Sequence, residues 1–228
     1  MPALRGYVSH VLSCADGSSR GLVVYAKQGL PVTLKDKGVS HGIEFIIKCL
    51  HTQGEAILMA NLYVHAGGFH VAHLPECILE EKSILMGDIN ARHRDLGSYQ
   101  TTNVNGTRWK AFLDSADNVM VTGDSVPTHV QGGRLDYVAF INFPLPSAET
   151  HLLPSLLSDH SALETTLLLD TAPYLQRPWL TVPATRLPQL VLCVKNWYAV
   201  AKGTFIDADS VSGFGFYNCR VCHLWYDA

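Results

Sequence analysis

"ILMGDIN", Ile84 to Asn90, runs three apolar residues into a glycine, an aspartate and an asparagine. An apolar run this short, bounded by turn residues, signals a buried strand rather than a helix. Its end delivers a carboxylate and an amide at a sheet edge, where loops gather and active sites of layered α/β folds sit. Being two apart on an extended backbone, Asp88 and Asn90 are expected on one face, converging on a single ligand. The competing reading is a strand-to-loop cap, in which the same two side chains satisfy turn amides.

Outward from this stretch, "LVVYAK" (22–27), "IEFIIKC" (43–49) and "AILMANLYV" (56–64) are β-branched or aromatic runs between glycine-bearing breaks, and they predict strands. Ile43, Phe45 and Ile47 alternate with Glu44, Ile46 and Lys48, which predicts one buried and one partly wet face, with Glu44 a solvated residue paired by alternation with Lys48. "LPECILEEK" (74–82) closes a predicted helix, and "TRWKAFLDSADN" (107–118) sets Trp109, Phe112 and Leu113 at helical spacing. "VMVTG", "RLDYVAFIN" and "ALETTLLLD" complete the strands. Strands outnumber helices and alternate with them irregularly, so the expected class is α+β. After Asp170 the sequence carries four prolines in twenty residues, which disfavours helix and central strand alike. The expectation is therefore one domain over residues 1–170, followed over 171–228 by a Pro-rich linker and a tail in which "VLCVKNWYAVAKGTF" could form a short amphipathic helix.

With 228 residues and 47% hydrophobic composition, the chain can bury a sizeable core. A formal charge of -3 gives no global basic field, so a nucleic-acid contact would have to come from a local cluster. No apolar run is long enough to span a bilayer, and the start "MPALRGYVSH" lacks the pattern of an export signal. The expected location is nuclear or cytoplasmic, not secreted and not in a membrane. The six cysteines are expected as reduced, packed thiols.

Three further stretches carry chemistry. "LLSDHSAL" (156–163) sets Ser158, Asp159, His160 and Ser161 between apolar residues. Charges there need a partner, a metal or a cleft, since an unpaired buried charge is costly. A histidine held by a carboxylate stabilises negative charge on a reacting group; the alternative is a loop turn. In "GGRLDYVAFIN", Asp136 interrupts a strand and needs a partner, for which His160 is an economical choice. In "MANLYVHAGG", Tyr63 closes a strand before a Gly-Gly loop, where its hydroxyl could reach a phosphate or simply pack in the core.

The order "NLYV", "GDIN", "RLDYV", "SDH" resembles the endonuclease/exonuclease/phosphatase superfamily over about residues 21–169. "GDINARHRDLGS", Asn105-Gly106 before a helix and "PTHVQGGRLDYV" look most like the endonuclease domain of non-LTR retrotransposons. The resemblance implies a four-layered α/β/β/α sandwich of the DNase I-like kind, and phosphodiester hydrolysis with Mg2+ or Mn2+. By similarity, Asp88 would orient or deprotonate the attacking water, and Asn90 would hold the scissile phosphate. Asp159 would lie at the metal site, and His160, steadied by Asp136, would stabilise phosphoryl charge. Tyr63 would be a phosphate contact, and Thr128, Arg92 and Ser158 would be substrate-binding. DNA would be engaged through its phosphate backbone, and an intact element would carry a reverse transcriptase domain downstream. No protein partner is implied.

The resemblance breaks before Gly21. Members of the superfamily open with a strand ending in asparagine, a helix, and a strand whose glutamate is a principal metal ligand; "MPALRGYVSHVLSCADGSS" holds no glutamate. The expectation is a chain incomplete at its amino terminus and weakly active or inactive as a DNA-nicking enzyme. Two rivals stand beside it: a phosphomonoesterase or lipid phosphatase of the same superfamily, and a non-catalytic nucleic-acid-binding or decayed retroelement remnant. "CRVCH" (219–223) has the spacing of haem attachment or of a zinc half-site, with chance as the competing reading. His65, His70 and His73 are expected in a solvated loop. Arg92, His93 and Arg94 form a local basic cluster that could touch a nucleic-acid backbone or merely solubilise a loop.

Overall fold

The structure is a computed structural model that describes residues 4–13, 21–52, 54–144, 147–154, 158–169 and 219–220. In chain order its elements are β1 (Tyr7–Ser13), β2 (Gly21–Lys27), β3 (Val32–Ser40), β4 (Ile43–His51), β5 (Ala56–Val64), α1 (Glu76–Glu80), β6 (Ser83–Asp88), α2 (Val104–Ser115), β7 (Val119–Thr122), β8 (Asp136–Ile141), β9 (Ser147–Leu153), β10 (Ala162–Leu168) and β11 (Cys219–Arg220). Six strands form one mixed sheet in the order β3-β4-β5-β6-β8-β7. β6 runs parallel to β5 and antiparallel to β8, and every one of its residues is buried. Its continuous apolar run is what a central strand covered on both faces requires.

One face of this sheet carries Phe45, Ile47, Leu58, Leu62, Val64, Leu85, Tyr137 and Ile141, packed with Trp109 and Phe112 of α2. Phe69 meets Trp109 edge-on with ring centroids 5.2 Å apart. Burying a side chain of this size stabilises the fold by about 2 to 3 kcal/mol. The other face gathers Leu50, Ile57, Ile84, Met86, Val138 and Phe140 with Leu167 of β10. β1 and β2 pair antiparallel, and Asn61 of β5 donates through Nδ2 to the Val23 carbonyl of β2 at 3.4 Å. β10 pairs with β9 along its length and with β11 at two positions. The described residues thus form a sheet-rich α+β fold around a central six-stranded sheet with apolar clusters on both faces. No helix among them is long and apolar enough to cross a membrane.

Several expectations need correction. β4 has no wet face: Glu44 is 4% exposed and Lys48 1%. Alternation told the two faces apart, but both are covered, because neighbouring strands and the second apolar cluster enclose this one. Glu44 pairs not with Lys48 but with His65, whose Nε2 donates to its Oε1 at 2.9 Å, while the Lys48 ammonium has no hydrogen-bond partner among the described residues. α2 begins at Val104 rather than Thr107, because Asn103 caps it by accepting from the Gly106 N–H at 2.7 Å. β1, β3 and β9 were not expected. β3 is a charged, mostly exposed edge strand with a register shift between Leu34 and Asp36, and such edges show no apolar alternation. The expected boundary near residue 170, the proposed tail helix and the side chains of "CRVCH" lie outside the described residues.

Candidate active site

Strand register, rather than proximity in sequence, assembles the site. Glu44 lies opposite Tyr63, Tyr63 beside Asp88, and Asp88 opposite Asp136. Cross-strand partners share a face, so these four form one row across β4, β5, β6 and β8 at one end of the sheet. Met86 and Val138, two residues down from Asp88 and Asp136, belong to the second apolar cluster. The row therefore stands at the rim of that cluster. Asp88 and Asp136 are each 6% exposed. Burial first, and the Asp136 carboxylate second, push the Asp88 carboxyl up from 3.8 to about 7, although the Asn90 N–H donates to its Oδ1 at 2.8 Å. Two buried carboxylates facing each other each disfavour the other's charged form.

His160 reaches this row from a distant part of the chain. Residues 128–130 run antiparallel to 159–161, with Val130 N–H donating to the Asp159 carbonyl at 2.9 Å and Ser161 N–H to the Thr128 carbonyl at 2.7 Å. This pairing sets His160 Nδ1 at 2.8 Å from Asp136 Oδ2. Burial alone would lower the His160 pKa, but the hydrogen bond and charge of Asp136, with smaller help from Asp88, outweigh it and raise the value to about 9. The ring is an imidazolium at neutral pH, and its Nε2–H makes no hydrogen bond to any described residue.

The loop after β6 is held by asparagines. The strand ends at Asp88, and Asn90 adopts a left-handed φ of 54° with its Nδ2 donating to the Val64 carbonyl at 3.1 Å. The expected extended spacing of Asp88 and Asn90 is therefore corrected to a turn closed by Asp88 itself, so the cap and the site are the same two residues. Asn103 accepts from Arg92 N–H at 3.0 Å and donates to the Asn90 carbonyl at 2.8 Å. Asn105, fully buried, donates to the carbonyls of Ile89 and His65 and accepts from Phe69 N–H. A Cβ on Gly106 would stand 1.9 Å from the Arg92 carbonyl oxygen, so only glycine lets the helix start approach the loop.

The three residues expected to bind substrate are placed differently. Thr128 is 2% exposed, and its hydroxyl accepts from Leu135 N–H at 3.0 Å and Asp136 N–H at 3.1 Å. It sits beneath Asp136 and fixes the entry of β8. Ser158 accepts from His160 N–H at 3.1 Å and shapes the turn. Arg92 is half-buried and donates to Gln100 Oε1 at 2.6 Å, which ties it to the loop scaffold. Tyr63 is half-buried, its ring 5.1 Å from that of His65.

Asp159 lies at the rim with 53% of its side chain exposed, and His129 Nε2 donates to it at 3.1 Å. That bond is the main reason its carboxyl stays below the ordinary value. Ligand atoms of His129, Asp159 and His160 all lie within 4.8 Å of one another. The tautomer of His129 argues against its ligating a metal. Its Nδ1 accepts from Gln131 N–H at 3.1 Å, so the proton is on Nε2, which points at Asp159 as a donor. Of these three groups, only the Asp159 carboxylate is an oxygen donor of the kind a hard divalent cation takes. Sequence reasoning passed over His129, Asn103 and the Glu44–His65 pair. The last was signalled by the two-residue spacing of Tyr63 and His65 at the end of β5.

Neither a family model nor a curated protein matches the chain. Among solved structures, it is similar to the endonuclease domain of TRAS1, a telomere-specific non-LTR retrotransposon, with a TM-score of 0.56 and 18% identity, over 76% of this chain and 81% of that one. The cytolethal distending toxin of Haemophilus ducreyi is matched with a TM-score of 0.46 and 16% identity, over 70% and 67%. The first likeness defines the class by fold: the chain shares the fold of that endonuclease domain. Within that class, the solved neighbour is an endonuclease domain of a retrotransposon.

Proposed function

We propose that the chain is a phosphodiesterase of the nuclease type, hydrolysing a DNA backbone with a divalent cation. The observation that carries this reading is the Asp88–Asp136 cross-strand pair with His160 bonded to Asp136. The name of the solved neighbour, an endonuclease, favours a nucleic-acid substrate over a phosphomonoester or lipid headgroup. Asp159 would hold the cation beside the Asp88–Asp136 pair, and the cation would supply charge neutralisation at the phosphoryl group. Ionised Asp88 orients the attacking water and takes its proton. The His160 Nε2–H donates to a non-bridging phosphoryl oxygen, where negative charge grows. Asn90 fixes the Asp88 turn beside the scissile phosphate, and the Tyr63 hydroxyl offers a further donor. With two carboxylates at the centre and a third at the rim, cation affinity is weak, and turnover is slow.

The test is conversion of supercoiled plasmid to nicked circle with millimolar Mg2+ or Mn2+, beside phosphate release from an inositol phosphate. The expected result is slow, EDTA-sensitive nicking by the wild type, lost in D88N and in H160Q, without phosphate release. Phosphate release without nicking would turn the reading to a phosphomonoesterase. Neither activity, with no cation-dependent rise in melting temperature, would leave a non-catalytic remnant.

A further inference from the structure

The row Glu44–Tyr63–Asp88–Asp136 has a histidine at each end. At one end His160 gives Nδ1 to Asp136 and leaves Nε2 outward. At the other, His65 gives Nε2 to Glu44 at 2.9 Å and leaves Nδ1 with no hydrogen bond to any described residue. The Glu44 side chain is 6% exposed and that of His65 51%, so a buried carboxylate holds an accessible imidazole, the same division of labour as in the Asp136–His160 pair. His65 follows Tyr63 by two residues, one beyond the end of β5, and its ring lies 5.1 Å from that of Tyr63. Its position is rigid: its N–H donates to the Gly42 carbonyl at 2.9 Å, and its carbonyl accepts from Gly68 N–H at 2.9 Å and Asn105 Nδ2 at 3.0 Å.

The segments around His65 carry an arginine and three further histidines. Arg108 donates to the carbonyls of Gly67 and Phe69 in the adjoining loop. His41 stacks on His73 with centroids 4.4 Å apart, and His70 lies 5.1 Å from His73. The four strands of the row span three inter-strand steps, about 14 Å. That equals about four base-pair rises along a duplex strand, at about 3.4 Å each. A phosphomonoester occupies only one end of such a row, whereas a polynucleotide backbone crossing the strands meets both.

Resting on the phosphodiesterase reading, we propose that His65, positioned by Glu44, contacts a backbone phosphate away from the scissile one, so that the site takes a polynucleotide strand laid across β4, β5, β6 and β8. In that contact the ring gives Nε2–H to Glu44 and Nδ1–H to the phosphate oxygen.

The experiment measures fluorescence anisotropy of a labelled single-stranded oligonucleotide with Ca2+ in place of Mg2+, together with KM for that oligonucleotide and for bis(p-nitrophenyl) phosphate. In H65Q, oligonucleotide affinity is expected to fall about tenfold. The ratio of the two KM values should rise by a similar factor, and H65K should recover most of the affinity, which a merely structural histidine would not allow. E44Q should lose part of the affinity. Binding by H65Q within about twofold of wild type, while H160Q binds more weakly, would overturn the role of His65 and leave the phosphodiesterase reading intact. A wild-type protein that neither binds nor cleaves the oligonucleotide would overturn both.

Discussion

Replacing Asp136 by Asn removes one charge while leaving an amide oxygen able to accept from His160 Nδ1, so it isolates the electrostatic part of the pair. The His160 pKa lies at about 9 against an ordinary 6.5. That difference of about 2.5 pH units corresponds to about 3 kcal/mol favouring the imidazolium. Burial pulls the other way, so without the Asp136 charge the pKa should fall by about two units or more. At pH 7.5 the imidazolium fraction then drops from roughly 97% to roughly 25% or less. Titration of the His160 ring by proton-carbon NMR, with H160Q for assignment, reads this directly. The same charge has a stability signature. A folded pKa above the unfolded one contributes stability that is fully present below pH 6.5 and lost as pH rises through 9. Urea melts of wild type and D136N should therefore differ most at pH 6 and converge above pH 9. The difference between the two proteins carries the signal, because Lys48 titrates in an overlapping window in both. If the His160 pKa moves by less than about half a unit in D136N, the proposed origin of the imidazolium is wrong.

Lys48 is buried without a hydrogen-bond partner among the described residues, and burial lowers its pKa from 10.5 to about 8. A lowered folded pKa penalises the fold below pH 8 and relents as pH rises toward 10.5. K48M should therefore stabilise the protein at pH 7 by up to about 3 kcal/mol in urea melts; a destabilised variant would contradict the unpaired placement. G106A drives a methyl against the Arg92 carbonyl. It should cost about 2 kcal/mol and slow nicking through the displaced loop, whereas a melting curve matching wild type would show that the close approach is not needed.

The central strand was legible because its two covered faces demand a continuous apolar run, and "ILMGD" supplies one. The Asp136–His160 partnership was also legible, since an acid inside a strand and a histidine between apolar residues each require a partner, and the structure sets them 2.8 Å apart. Glu44 was misread for a physical reason. Period-two alternation separates the faces of a strand but does not say whether the second face meets water or another part of the protein. The backbone role of the Thr128 hydroxyl was not legible, because only the fold brings the Leu135 and Asp136 N–H groups to it.

By itself the sequence determined the class of fold and the kinds of side chain at the strand ends, because apolar periodicity and the cost of unpartnered charge are properties of short stretches. Strand register belongs to the tertiary structure. It alone put Glu44, Tyr63, Asp88 and Asp136 in one row, because hydrogen bonds between strands distant in the chain fix which residues stand side by side, and a shift of one residue would send each side chain to the opposite face.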